Sequence, residues 1–191
     1  MRAYLAGPDV FLPDAAAHAH RKISLCARYG IEGLSPLNED VASLAALPAD
    51  HAWRVIYDKD VAMMEMADLV VANLTPFRGA SADSGTLVEL GWFLGRGKPI
   101  FGYSNSARSF AERCHAQVAA VPDPIPDLMI EGFGLPDNLM IPGAVLSGGG
   151  AIVQPEDGSD RPFDSLEMFE RCIAQAAARL GIGGPVRQLR S

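Results

Sequence analysis

The residue types with the most chemistry lie in one stretch, Pro76-Phe77-Arg78-Gly79-Ala80-Ser81-Ala82-Asp83-Ser84-Gly85-Thr86-Leu87-Val88-Glu89-Leu90-Gly91. It follows a continuous apolar run, residues 68–74, and opens a helix that Asp83 or Ser84 can cap. Gly85 leaves the backbone bare where a ligand approaches. Glu89 shares a helix face with Gly85, so its carboxylate leans back over the glycine toward the preceding strand end. A solvated Glu, favoured near a helix start by the macrodipole, fits the same spacing. A second carboxylate belongs to the preceding helix, where Trp53, Tyr57, Asp60 and Met64 form one stripe at helical spacing. Two aromatics, a carboxylate and a thioether suit a flat heterocycle, with stacking from the rings and a proton or hydrogen bond from Asp60. The same stripe also fits a core or oligomer-facing surface with Asp60 at its edge.

The set as a whole resembles the nucleoside 2-deoxyribosyltransferases. The resemblance rests on Tyr4-Leu5-Ala6-Gly7-Pro8, on Asp60 with Asp68 eight residues on, and on Asp83-x-Gly-Thr-x-x-Glu89-x-Gly91. It extends to Glu131-Gly132-Phe133-Gly134-Leu135-Pro136-Asp137-Asn138-Leu139-Met140. It implies a flavodoxin-like fold. It also implies Glu89 as nucleophile, Tyr4 as the group that orients it, and Asp60 as the carboxylate that meets the base. Asp83 then holds the sugar hydroxyl end. Asn138, with Met140 beside it, reaches the sugar pocket of a neighbouring subunit. The substrates it implies are deoxynucleosides and free nucleobases, with no metal or organic cofactor. Gly7, Phe11, Gly85 and Arg78 complete the expected substrate-binding set.

That chemistry suits these residues. A 2-deoxyribosyl carbon lacks a 2′-hydroxyl, so an oxocarbenium-like transition state is accessible. A carboxylate below the ring stabilises that charge and then bonds to C1′. The place of Glu89 in the first turns of a helix favours its ionised form. The departing base needs a proton from a carboxyl group of raised pKa. A second base attacks in the same pocket, and two inversions give net retention, as in retaining glycosidases.

These residues must be positioned by a scaffold, and the chain alternates strand-like and helical segments. Residues 2–7, 31–34, 68–74, 99–103 and 151–154 read as strands. Residues 14–29, 49–67, 84–95, 108–117 and 164–180 read as helices, the first opened by Pro13 and stopped by Gly30. The Pro- and acid-containing stretch 35–47 and the Pro/Gly-rich stretch 121–149 read as loops. The second of these covers the domain mouth and is too rich in Pro and Gly to fold back on its own domain. The alternation predicts one α/β domain, a doubly wound parallel sheet with helices on both faces. Ligands of such folds sit at the carboxyl ends of the strands. Residues 7–11, 75–85 and 104–106 therefore surround one cleft.

Composition narrows the alternatives. The chain has 191 residues and a net charge of −7, with no Lys/Arg cluster, which argues against a DNA or RNA partner. No apolar run reaches membrane-spanning length, and no apolar export segment precedes the first strand, so a cytoplasmic protein is expected. Cys26, Cys114 and Cys172 read as reduced thiols. His18 and His20 have a poor metal spacing and read as surface residues. Gly95-Arg96-Gly97-Lys98-Pro99 lacks the Ser/Thr of a P-loop and runs from helix into strand; Gly148-Gly149-Gly150 reads as a turn. Two other functions fit the fold. A deoxynucleoside 5′-monophosphate hydrolase of the same superfamily needs groups that welcome phosphate. Asp83 repels one, while Arg78 and Ser81 keep that reading open. A non-catalytic nucleotide sensor has no need of Glu89 opposite an acid.

Overall fold

A computed structural model describes residues 1–37 and 48–182. Most of the expected 35–47 loop falls outside the described residues. Five strands form one parallel sheet: β1 (Arg2–Ala6), β2 (Glu32–Leu34), β3 (Leu69–Asn73), β4 (Ile100–Tyr103) and β5 (Ile152–Val153). Their order is β2-β1-β3-β4-β5, the flavodoxin-like order. β1 pairs on one side with β2, Ala3 opposite Gly33, and on the other with β3, Tyr4 opposite Val70. The chain reverses its winding between β1 and β3, so their carboxyl ends open the crevice in which such folds bind ligands.

Helices α1 (Ala15–Arg28) and α6 (Glu167–Arg179) cover one face of the sheet. Helices α2 (Ala49–Met66), α3 (Ser84–Gly95) and α5 (Met140–Ser147) cover the other. Strand alternation divides the core between them. Ala3 and Leu5 pack with Cys26, Met168 and Phe169, whereas Tyr4 and Ala6 pack with Met64, Leu90 and Phe93. Strand β3 is buried along its whole length, which accounts for its apolar run Leu69–Ala72. Each such buried aliphatic side chain contributes about 1.5–3 kcal/mol.

Helix α4 (Phe110–Ala120) begins at a capping box, in which Ser109 and Glu112 satisfy each other's backbone N–H groups. Residues 121–149 depart from the expected loop, because α5 lies within them. Ile141 and Val145, one turn apart, bury against the α3 side of the sheet and supply the helix with its driving force. Pro142 is the third residue of this helix, where an intrahelical N–H partner is missing in any case, so the proline gives up no bond. The stretch also folds back on its own domain, against expectation. The Phe110 N–H donates to Leu135 O at 2.9 Å and the Arg113 guanidinium to Pro136 O at 2.6 Å.

The run Gly148–Gly150 is a turn, as its composition indicates, and it presses on β4. A Cβ at Gly150 would stand 1.9 Å from Ile100 O. Gly143, inside α5, faces open space. Gly150→Ala is therefore expected to destabilise the fold by more than about 2 kcal/mol. Gly143→Ala should instead stabilise it by up to about 1 kcal/mol through backbone entropy. Urea unfolding of the two variants checks both signs, and equal effects would contradict this packing of the turn.

Candidate active site

Tyr4 lies in the middle of β1, fully buried, on the face toward α2 and α3, and its ring stacks beside Phe93 at 6.0 Å. Its hydroxyl donates to Glu89 Oε1 at 2.5 Å. Glu89 is the sixth residue of α3, beyond the first turn in which a helix dipole acts strongly. Burial pushes its carboxyl up to about 7; the Tyr4 hydrogen bond opposes the shift, and the charges of Asp60 and Asp83 add to it. Burial thus works against the ionised form that the helix start favours. Burial, with the Glu89 charge, holds the Tyr4 phenol far above its ordinary pKa, so it stays a donor.

Asp60 projects from α2 into the same neighbourhood. Burial lifts its pKa to about 6, and its Oδ1 is buried with no hydrogen-bond partner among the described residues. An orphaned buried acceptor costs about 1–3 kcal/mol. A ligand N–H, or a proton on the carboxyl, removes that cost. Asp83 caps α3, its Oδ2 accepting from Thr86 N at 3.0 Å and from Thr86 Oγ1 at 3.2 Å. Gly85 is the second residue of the helix, and a Cβ there would come within 3.1 Å of that capping oxygen.

Lys98, part of the P-loop-like run, donates to Met64 O, Glu65 O and Ala67 O at 3.0, 3.0 and 2.7 Å. It is a C-terminal cap for α2, favoured by the negative end of the helix, and it docks the element that carries Asp60.

The loop before α3 is tied down by Asp137, a buried carboxylate. It accepts from Ser81 Oγ at 2.7 Å, from Ala82 N at 3.0 Å and from Asn138 N at 2.8 Å. The Arg113 guanidinium stands 3.8 Å away and donates to Ala80 O at 2.7 Å. Asp137 falls in a motif of the sequence reading but carries no role of its own there, and Arg113 does not figure in it. Both are polar residues whose partners lie on other elements.

The remaining expected site residues are less gathered. Gly7 follows β1 at φ 152°, and a Cβ there would meet Asn73 Cβ at 2.7 Å, so only glycine fits. Phe11 is largely exposed and stacks on Phe77 at 5.6 Å. Arg78, at a left-handed φ of 54°, lays its guanidinium over both rings, 5.2 and 4.7 Å from their centres. Trp53 and Tyr57 point largely into solvent, so the stripe narrows to Asp60 and Met64 at its buried end. Asn138 donates to Glu131 Oε2 at 2.9 Å in its own loop and faces a groove lined by Ser81, Cys114, Gln117 and Met129. Met140 is exposed at the start of α5.

Comparison with known proteins decides which family this arrangement represents. The family model of nucleoside 2-deoxyribosyltransferase matches residues 3–140. The chain belongs to that family. A solved 2-desoxiribosyltransferase from Leishmania mexicana is 30% identical, covering 93% of this chain and 97% of its own, with a TM-score of 0.60. An uncharacterized protein of Schizosaccharomyces pombe is 27% identical over 93% of this chain and 89% of its own length. A conserved protein of Enterococcus faecalis, 19% identical with a TM-score of 0.54, covers 92% of this chain and 98% of its own and shares the fold. Among the described residues no helix is long and apolar enough to cross a membrane.

The raised pKa of Glu89 has a sign for stability. A carboxyl with a pKa of 4.5 unfolded and about 7 folded favours the folded state fully below 4.5. That contribution fades as pH rises toward 7. Glu89→Gln, which carries no charge to bury, should therefore be more stable than the native chain at pH 8, by on the order of 2 kcal/mol. The gain should shrink below about pH 7 and vanish near pH 4. Thermal unfolding across this range checks it; a pH-independent difference would mean a solvated Glu89.

Proposed function

We propose that the chain transfers 2-deoxyribose between nucleobases through a covalent deoxyribosyl ester of Glu89. The observation that carries this reading is the Tyr4 hydroxyl on one oxygen of a half-buried Glu89, with the Asp60 carboxyl, its Oδ1 unpartnered among the described residues, close by. Glu89 Oε1 is held by Tyr4, and Oε2 attacks C1′ as the C1′–N bond breaks. Asp60 in its protonated form, which burial favours, gives its proton to the leaving base. An incoming base then attacks C1′, returns a proton to Asp60 and frees the Glu89 carboxylate. Exclusion of water from the pair strengthens these charge interactions and raises the pKa of the acid, as the first step requires.

Asp83 receives the sugar's hydroxyl end in this reading. Ser81 is engaged by Asp137, and Arg78 rests on the Phe11 and Phe77 rings. Both observations weigh against a phosphate site, hence against the 5′-monophosphate hydrolase. We place Asn138 and Met140 at the sugar pocket of a neighbouring copy in a homo-oligomer. The exposed apolar side chains Val88, Met140 and Leu146 on α3 and α5 support such an assembly.

Mixing a deoxynucleoside with a second free base tests the activity: base exchange is expected, whereas free sugar alone would indicate a hydrolase and no turnover a sensor. Glu89→Ala should bind substrate with exchange lowered by orders of magnitude. Intact-protein mass without acceptor base should show an added deoxyribosyl group that maps to Glu89, and normal exchange by the variant would refute the mechanism.

Asp83→Ser should slow turnover of nucleosides and ease discrimination against 5′-monophosphates, read as the ratio of the two kcat/KM values. A native preference for monophosphates would overturn this assignment of Asp83.

A further inference from the structure

The sequence reading places His18 on the surface, and the structure corrects it. His18 and Lys22 of α1 are only 1% and 2% exposed, because both face inward onto Asp9. Asp9 lies in a single 3-10 turn, Pro8–Phe11, directly after Gly7. Its Oδ2 accepts from Lys22 Nζ at 2.7 Å, and its Oδ1 from Asn73 Nδ2 at 2.9 Å, with His18 Nε2 at 3.5 Å. Lys22 also lies 4.7 Å from the centre of the Phe169 ring.

The polar chain continues across the sheet. Asn73 Oδ1 accepts from Thr75 N at 3.0 Å, and Thr75 Oγ1 from Asn105 N at 2.9 Å. Asn105 Nδ2 then donates to Pro162 O, Phe163 O and Ser165 O at 3.1, 2.9 and 3.0 Å. One buried line of hydrogen bonds thus ties together the residues at the carboxyl ends of β1, β3 and β4. The loops it ties carry an aromatic rim. Phe11 stacks on Phe77, and Phe77 lies 6.0 Å from Phe163. Together with Pro8, Leu12, Pro76 and Arg78 these rings line a cavity of about 310 Å³. Phe11 is two residues from Asp9, Phe77 two from Thr75, and Phe163 is itself held through its carbonyl.

We propose that the buried Lys22–Asp9 pair is a positioning device for the mouth of the site, fixing the Gly7–Phe11 turn and, through Asn73 and Thr75, the aromatic rim that receives the flat base. The base-binding half of this statement rests on the deoxyribosyl-transfer reading. A buried ion pair is a poor source of net stability, since apolar residues of similar volume often replace it without loss. What apolar residues do not replace is direction. Asp9 is held by three residues on two elements, Lys22 and His18 of α1 and Asn73 of β3, and a leucine there leaves the turn free to slide. The pair also survives acid better than an exposed one, because Lys22 and His18 hold the Asp9 carboxyl far below its usual range despite its burial.

The test compares Lys22→Met with the double variant D9L/K22M. The single variant strands a buried carboxylate and should lose Tm. The double variant should regain most of that Tm, yet its kcat/KM for base exchange should stay at least tenfold below the native value. The loss should fall on KM for the incoming base, with kcat less affected. Amides of residues 7–12 should exchange hydrogen faster in both variants than in the native chain. Native kcat/KM in the double variant, or native amide exchange at residues 7–12 in either, overturns the proposal. If the native chain itself exchanges no base, the transfer reading fails, and the amide exchange still decides the positioning role. If the double variant does not fold, amide exchange in Lys22→Met below its melting transition carries the test.

Discussion

A carboxylate taken out of water needs a strong donor, and Glu89 has one in the Tyr4 hydroxyl. The donor sits in the middle of the central strand and the acceptor two turns into a helix, so the bond also fixes how α3 lies on the sheet. Neither side can yield. A protonated phenol is the only form of Tyr4 that its buried setting tolerates, and Glu89 has its two carboxylate neighbours, Asp60 and Asp83, raising the price of its charge. Glu89 and Asp60 are therefore acids whose negative charge is costly where they stand, Asp60 with one oxygen left without a donor among the described residues.

Around this set the structure spends further buried polar residues on tethers. Lys98 seats the end of α2, and Asp137 with Arg113 seats the approach to α3. These tethers differ in kind from the apolar core. The core fixes which faces meet, whereas each tether fixes a loop or helix end to within the reach of a hydrogen bond. Reacting groups must be placed to about that tolerance for rate.

The alternation of strands and helices and the paired faces of the sheet are legible in the sequence, because apolar periodicity reports burial directly. Asp83, Gly85 and Glu89 are legible for the same reason, being spaced along one helix. Helix α5 is hidden, because Pro142 and Gly143 speak for a loop while the decisive fact, burial of Ile141 and Val145 against another helix, is tertiary. The capping box of Ser109 and Glu112 is a local signal that places the start of α4 at Phe110, two residues after the start that periodicity indicates. His18 is misread because a polar residue on an amphipathic helix looks solvated until its partner, here Asp9 on a different element, is known. Exposure of Trp53 and Tyr57 is likewise a property of the packed chain, invisible in a helical stripe.

The bond between Tyr4 and Glu89 joins residues 85 positions apart, and β1 pairs with a strand whose first residue is Leu69. During synthesis the first strand therefore waits for β3 and α3 before its buried tyrosine finds a partner. Non-local pairing of this kind slows folding, because loop closure precedes any reward. Register is equally demanding: a slip of one residue along β3 turns Tyr4 toward α1 and α6 and puts Leu5 in front of Glu89. The Tyr4–Glu89 bond and the correct alignment of the central strand are thus formed in one event, and a chain misaligned there loses both.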